Sequence, residues 1–420
     1  MSDFSCRGIC SGVNFASITD DRFKRGRLGA TLIVPLSHET AAANALLSYV
    51  LTRSCKKYPD FTALNRKLDS LYGAALYPSV RQLGDCQALT VAVVGLDDRY
   101  ALDEGSLSSE LADLLCSIIF EPNMTDGLFS EEDVEQERRE LIEGIDAEYN
   151  EKRAYSIKRC IEIMCKDELY SVGRVGSREE VEKVTREDVA HAWQSLLKNA
   201  RVELTMLGNT APDAAFDRFA GYFADKPRKP HLPRPENIVP GELKRVTETD
   251  DVVQSKLVMG LRYRIPETRE DRMACSLMSV ILGGTPSAKL FLNVREKQSL
   301  CYYCVSTVDN AKGIMLIDSG VETENIEKTE KAINEQIEIM KGGCITEDEF
   351  SAAKLALKNA YYSSLDSLAA LQSYYISGVL YKDSMSPREA AALVDSISLE
   401  RVLGACDTLR ADTVYSLVGN

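Results

Sequence analysis

The sequence predicts an α+β chain built as two duplicated domains, each an antiparallel sheet with helices packed on one face, joined by a proline-rich linker. Three observations predict it. Apolar alternation of period two and helical stripes of period 3.6 follow each other in the same order twice along the chain. Matching cap signals punctuate both halves at similar spacing: Ser130-Glu131-Glu132-Asp133 then Thr185-Arg186-Glu187-Asp188 in the first, Thr346-Glu347-Asp348-Glu349 then Ser398-Leu399-Glu400-Arg401 in the second. Between them, Pro227, Pro230, Pro233, Pro235 and Pro240 are too dense for a helix or a central strand and stiffen a spacer. The expected domains are therefore 1–225 and 244–420, with the linker at 226–243.

Residues 1–35 read as strands, Thr31-Leu32-Ile33-Val34 most clearly. A helix beginning near Ser37 carries Ala43, Leu46, Leu47, Val50 and Leu51 on one stripe, and a second carries Leu64, Leu68 and Leu71 before Gly73. A hairpin from Ala75 to Val94 turns at Gly84-Asp85. Further helices are expected through Leu107–Ile118, from Ser130 toward Cys165, and after Thr185, closing on the strand Val202–Asn209. In the second half, a strand at Lys256–Arg264 leads to a helix ending at Gly283-Gly284, a second helix from Ser287 to Gln298, and a β-prone run from Cys301. Gly313–Ile317, a helix from Asn325 to Met340 and a terminal Tyr415–Asn420 that echoes Leu204–Asn209 complete the copy.

Composition excludes several function classes. The 420 residues carry 45% hydrophobic and 27% charged side chains, a globular balance, with a formal net charge of −14 that argues against nucleic acid as a partner. No run is apolar enough to span a membrane, and Met1–Cys6 lacks a basic segment followed by an apolar one, so a cytoplasmic location is expected. The twelve cysteines show no framework spacing and read as thiols. Cys301-Tyr302-Tyr303-Cys304 is a Cys-x-x-Cys, but on a regular strand its sulfurs point to opposite faces and grip no common metal. His38, His191 and His231 are not spaced as ligand pairs. Gly283–Lys289 lacks the Gly-Lys-Ser/Thr element of a phosphate loop, and no Gly-x-Ser-x-Gly elbow is present.

Gly283 and Gly284 permit positive φ and a close approach of an extended segment, and Leu290, Val294 and Lys297 share a helix face. Taken alone, Arg295 and Tyr302 fit a solvated helix face and a strand. The full run Gly283-Gly284, Ser287-Ala288-Lys289-Leu290-Phe291, Arg295-Glu296-Lys297, Leu300-Cys301-Tyr302 nevertheless resembles the C-terminal half-motif of pitrilysin/insulinase-type metallopeptidases, among them the mitochondrial processing peptidase-like chains. The resemblance extends over the whole chain, since that family also consists of paired α+β domains enclosing a peptide chamber.

The resemblance implies a site split between two halves. In active members, His-x-x-Glu-His on the first helix binds zinc and activates water, because residues four apart share a helix face. That locus here reads Ala45-Leu46-Leu47-Ser48-Tyr49, and the third-ligand position falls near Gly144 beside Glu143. The catalytic metal is therefore expected to be absent from this chain. The matching substrate positions are Arg295, which would hold a peptide carbonyl, and Tyr302, whose hydroxyl would meet developing negative charge on the scissile oxygen. Gly283 and Gly284 would admit extended substrate, and Tyr303 would be packing. The implied role is a non-catalytic, peptide-binding subunit of a heterodimer whose zinc comes from a sister chain bearing His-x-x-Glu-His. A scaffold of the same fold without a proteolytic role is the rival reading, and an enzyme using another site is a third.

Overall fold

A computed structural model describes residues 3–102, 105–209 and 211–419. Met1, Ser2 and Asn420 of the expected terminal strands lie outside the described residues. The chain packs as two compact units, and neither is continuous in sequence: the first comprises Met1–Ile145, Val172–Pro233 and Asp366–Ser384, the second Asp146–Ser171, Arg234–Leu365 and Met385–Asn420.

The first unit is built on a six-stranded sheet of β1 (Asp3–Cys10), β2 (Val13–Thr19), β3 (Arg25–Pro35), β4 (Ala75–Leu83), β5 (Cys86–Leu96) and β8 (Arg201–Gly208), with a small hairpin of β6 (Met124–Thr125) and β7 (Leu128–Phe129) apart from it. Its order is β1-β2-β8-β3-β5-β4. The second unit carries β9 (Lys244–Asp250), β10 (Ser255–Arg262), β11 (Cys301–Asp309), β12 (Ile314–Val321) and β13 (Arg410–Gly419) in the order β11-β12-β10-β13-β9. Read from the other edge, the second order repeats the first without β1, so the expected duplication is present strand by strand. The sheets are not wholly antiparallel. β2 runs parallel to β8, and β9 runs parallel to β13. In both units the pair joins strands far apart in sequence, which allows the crossover a parallel pair requires.

One face of each sheet receives the helices expected from its own half. In the first unit, Leu28, Ala30, Leu32, Leu89 and Val91 meet Leu46, Leu115 and Val189 in one core. The other face takes a helix from the opposite half of the sequence. Helix Leu368–Gly378 covers β3 and β8 of the first unit: Gln372 donates to Thr205 Oγ1 at 2.7 Å, and a Cβ at Gly29 would lie 2.1 Å from the Gln372 amide nitrogen. Helix Lys152–Met164 covers β10 and β13 of the second unit, packing Cys160 and Met164 against Val258, Tyr415 and Leu417. The long helix expected from Ser130 accordingly breaks into Glu131–Asn150 and Lys152–Met164. Glu151 leaves helical geometry there, and its carboxylate caps the new helix by accepting from Ala154 N at 2.6 Å.

A buried charge cluster fixes the segment after that second helix. Arg262, 3% exposed, donates to Glu168 and, at 3.0 Å, to Asp412 Oδ2, while Lys312 Nζ lies 2.9 Å from Glu168 Oε2. Burial pushes the Glu168 carboxyl up, but hydrogen bonds from Arg262 and Lys312 outweigh it and hold the group below its ordinary value of 4.5. Its stabilisation is thus present above that value and lost as pH falls through the depressed one. Glu168→Ala leaves two cations buried without this partner and is expected to cost about 3–5 kcal/mol at neutral pH, read from urea unfolding.

Candidate functional site

Helix Ala41–Val50 of the first unit carries Ala45, Ser48 and Tyr49, the positions where the resemblance implies the zinc-site locus. Ala45 is fully buried, and Ser48, 3% exposed, donates its hydroxyl to the Asn44 carbonyl at 3.2 Å. Tyr49 packs against the core, and burial raises its phenol. These three residues do not suit zinc. Ala45 has no donor atom, the Ser48 hydroxyl is committed to the helix, and a neutral phenol is a poor ligand. Among the described residues no group of three or more His, Cys, Asp or Glu is arranged to hold a metal. His38 instead pairs with Glu180 at 2.9 Å.

The helix that carries Gly144 also places a buried acid beside this locus. Gly144 is exposed, and a Cβ there would meet nothing within 4 Å. Glu137, about two helical turns earlier, is buried at 7% exposure and is close enough to Tyr49 to raise its phenol further. Two turns apart, Glu137 and Gly144 lie on the same side of that helix. Glu137 lies 3.5 Å from Arg53 Nη1. Burial and the neighbouring Glu140 and Asp133 push its carboxyl up to about 7, against a smaller downward pull from Arg53.

In the second unit, Arg295 and Tyr302 line one cleft of about 380 Å³ together with Ser299, Cys301 and Glu322. Arg295 ends a short π-helical stretch, Leu290–Glu296, with its guanidinium 4.5 Å from the Phe291 ring centroid and 3.6 Å from Glu296 Oε1. The chain then reverses at Ser299, a non-glycine residue at φ 52°, which is a strained conformation held at the mouth of the cleft. Tyr302 is the extra residue of a β-bulge. Cys301 pairs with Val321 and Tyr303 with Gly320, leaving Tyr302 without a cross-strand partner and 57% exposed. Its hydroxyl donates to Glu322 Oε1, and that carboxylate raises the phenol.

The bulge also overturns the reading of Cys301 and Cys304. Inserting one residue restores a common face, so both thiols are buried and hydrogen-bonded to each other, which favours the Cys301 thiolate. Tyr303 packs inward under Arg153, whose guanidinium lies 4.5 Å from its ring.

Gly283 packs closely against the chain's own strand. Its φ is −154°, so it does not use the left-handed region. A Cβ there would lie 2.7 Å from the Ser306 backbone nitrogen, so the extended segment that needs its bareness is β11 of this chain. Gly284 is exposed, and its added Cβ would press only on the Val280 side chain at 3.3 Å.

Glu137 gives a pH signature. A carboxyl whose folded pKa is raised binds more protons folded than unfolded, so its contribution is complete below 4.5 and is lost as pH rises through about 7. Glu137→Gln is expected to remove that slope and to be about 1–3 kcal/mol more stable than the parent at pH 8, with little difference at pH 4, read from urea unfolding at both pH values.

Comparison with known proteins agrees with this geometry. Residues 183–357 match the family model described as Peptidase M16 inactive domain. The chain is 28% identical over 411 residues to the "Probable inactive metalloprotease YmfF" of Bacillus subtilis (strain 168), covering 97% of this chain and 96% of that one. It is 24% identical over 210 residues to an "Uncharacterized zinc protease YmxG" of the same organism, covering 49% of this chain and 50% of that one. Among solved structures, a conserved protein from Enterococcus faecalis V583 superposes with a TM-score of 0.90 at 25% identity, covering 100% of this chain and 99% of that one. A peptidase M16 inactive domain from Pseudomonas fluorescens superposes at 0.76 with 18% identity, covering 99% and 98%. Residues 183–357 thus match the model of an M16 inactive domain, and the chain over nearly its whole length is similar to a protein described as a probable inactive metalloprotease.

Proposed function

We propose that this chain is the substrate-holding subunit of a heterodimeric zinc peptidase, with the metal and its general base supplied by a sister chain bearing His-x-x-Glu-His. The observation that carries the reading is the shared cleft of Arg295 and Tyr302 in a chain whose zinc locus holds no ligand. Arg295 presents a fork of donors at an accessible position and suits a peptide carbonyl. Tyr302, thrown outward by the bulge, offers a hydroxyl to the carbonyl oxygen as negative charge develops on it. The raised phenol keeps that proton in place at neutral pH, as a donor must. A bound peptide competes with Glu322 for the hydroxyl, so Glu322 sets a cost on empty-site engagement.

The cleft suits a short or unfolded peptide, in a cytoplasmic assembly. A second reading, a scaffold of the same fold without proteolytic function, is favoured by one fact. Glu296 and Glu322 already give Arg295 and Tyr302 partners within the chain, which is reason enough for both residues in a folded protein.

The test is cleavage of a fluorogenic peptide library by an equimolar mixture with an M16 chain that carries His-x-x-Glu-His. Tyr302→Phe is expected to lower kcat/KM by about 100-fold, as loss of one oxyanion donor does in other enzymes. Arg295→Ala is expected to lower it about tenfold or more, mainly through KM. Unchanged cleavage in both variants contradicts the assigned roles and leaves the scaffold reading standing.

A further inference from the structure

The second face of the first unit's sheet holds a cleft of about 650 Å³ between β3, β4, β5 and the start of helix Leu368–Gly378. Arg25 and Arg27 line it. They are two apart on β3 and so lie on one face of the sheet, opposite the first turn at Ser367, Leu368 and Ala369. Arg27 is 8% exposed. Its Nε donates to Gln372 Oε1 at 2.7 Å, and its guanidinium stands 5.5 Å from the Tyr77 ring centroid. Among the described residues neither arginine has a carboxylate partner.

This sets Arg27 apart from the other buried cations. Arg262 and Lys312 meet Glu168, Lys289 meets Glu349 at 2.8 Å, and Arg228 donates to the Leu197 and Lys226 carbonyls. A guanidinium has five N–H donors, and Arg27 spends one on a neutral amide. Burying an uncompensated cation is costly, and burial accordingly pushes the Arg27 guanidinium down. The acid at the cleft mouth, Asp366, is 78% exposed and lies 3.6 Å from Arg22. The helix start adds the positive end of a backbone dipole and unfilled N–H groups, since Ser367 caps only Ala370 N. A cationic, partly desolvated cleft in a chain of net charge −14 is not explained by general surface charge.

We propose that this cleft is a binding site for a small oxyanion, carboxylate or phosphate, held by the guanidinium groups of Arg25 and Arg27 and the first turn of helix Leu368–Gly378. The site is independent of the Arg295–Tyr302 cleft and of any peptidase role. Arg81, at the other end of the cleft, donates to Ser373 and is outside the proposed site.

The experiment is isothermal titration of the full chain with inorganic phosphate and, separately, with succinate, at ionic strength held constant with chloride. Saturable one-site binding of at least one is expected, weakened at least about tenfold in Arg25→Gln and in Arg27→Gln and retained in Arg81→Gln. Arg25 is exposed, so its variant keeps the test open if Arg27→Gln fails to fold. Binding of phosphate alone assigns a tetrahedral oxyanion, and binding of succinate alone a carboxylate. No saturable binding of either, equal binding in the Arg25 variant, or an equal loss in Arg81→Gln overturns the proposal.

Discussion

Helix Ala41–Val50 packs Ala45 and Leu46 into the first unit's core, with the Ser48 hydroxyl returned to the backbone of Asn44. In the zinc peptidases that the sequence resembles, the resemblance implies imidazoles and a carboxylate at these positions, their desolvation offset by the metal. Small and apolar side chains carry no such requirement. The helix rests on the sheet by packing and through Gln87 of β5, which accepts from Asn44 at 3.0 Å and donates to the Ala41 carbonyl at 2.9 Å. The acid facing it, Glu137, sits beside one arginine and two other carboxylates and holds its proton toward neutral pH. On the proposed function, the part this chain takes in peptide cleavage falls to groups elsewhere in the chain.

Those groups depend on a different local device. The strained Ser299 and the bulge at Tyr302 together turn a buried strand start into an exposed phenol beside an accessible guanidinium. Gly283 serves the same end indirectly. Its missing side chain lets β11 lie against the 280–284 turn, where the Ser306 hydroxyl donates to the Ser279 carbonyl at 2.7 Å and ties the strand that carries Tyr302 to the preceding helix.

Much of this was legible in the sequence. Cap signals and periodicity located the strands and most helices, and the repeat of order gave two copies of one topology, which the strand orders bear out. What periodicity cannot state is which surface an apolar stripe will meet. Helix Lys152–Met164 reads as amphipathic, yet nothing in its stripe says that it covers β10 and β13 rather than the sheet of its own half. The parallel pairs β2–β8 and β9–β13 escaped for a related reason, since pairing direction is set by connections and not by composition. Cys301 and Cys304 meet only because of one inserted residue, and a bulge leaves no mark in a run of β-prone side chains. Glu137 was not singled out from the sequence. Its isolation as a buried acid on a strongly charged helix was the available signal, and it needed the helix phase to be read.

The central proposal is that this chain holds a peptide and that another chain supplies the means to cut it. The most direct measurement is the metal content of the purified chain after equilibration with excess zinc and removal of loose ion, taken together with peptide hydrolysis by the same sample. The account predicts zinc well below one equivalent and no hydrolysis. One equivalent of retained zinc accompanied by hydrolysis without any second chain would contradict it.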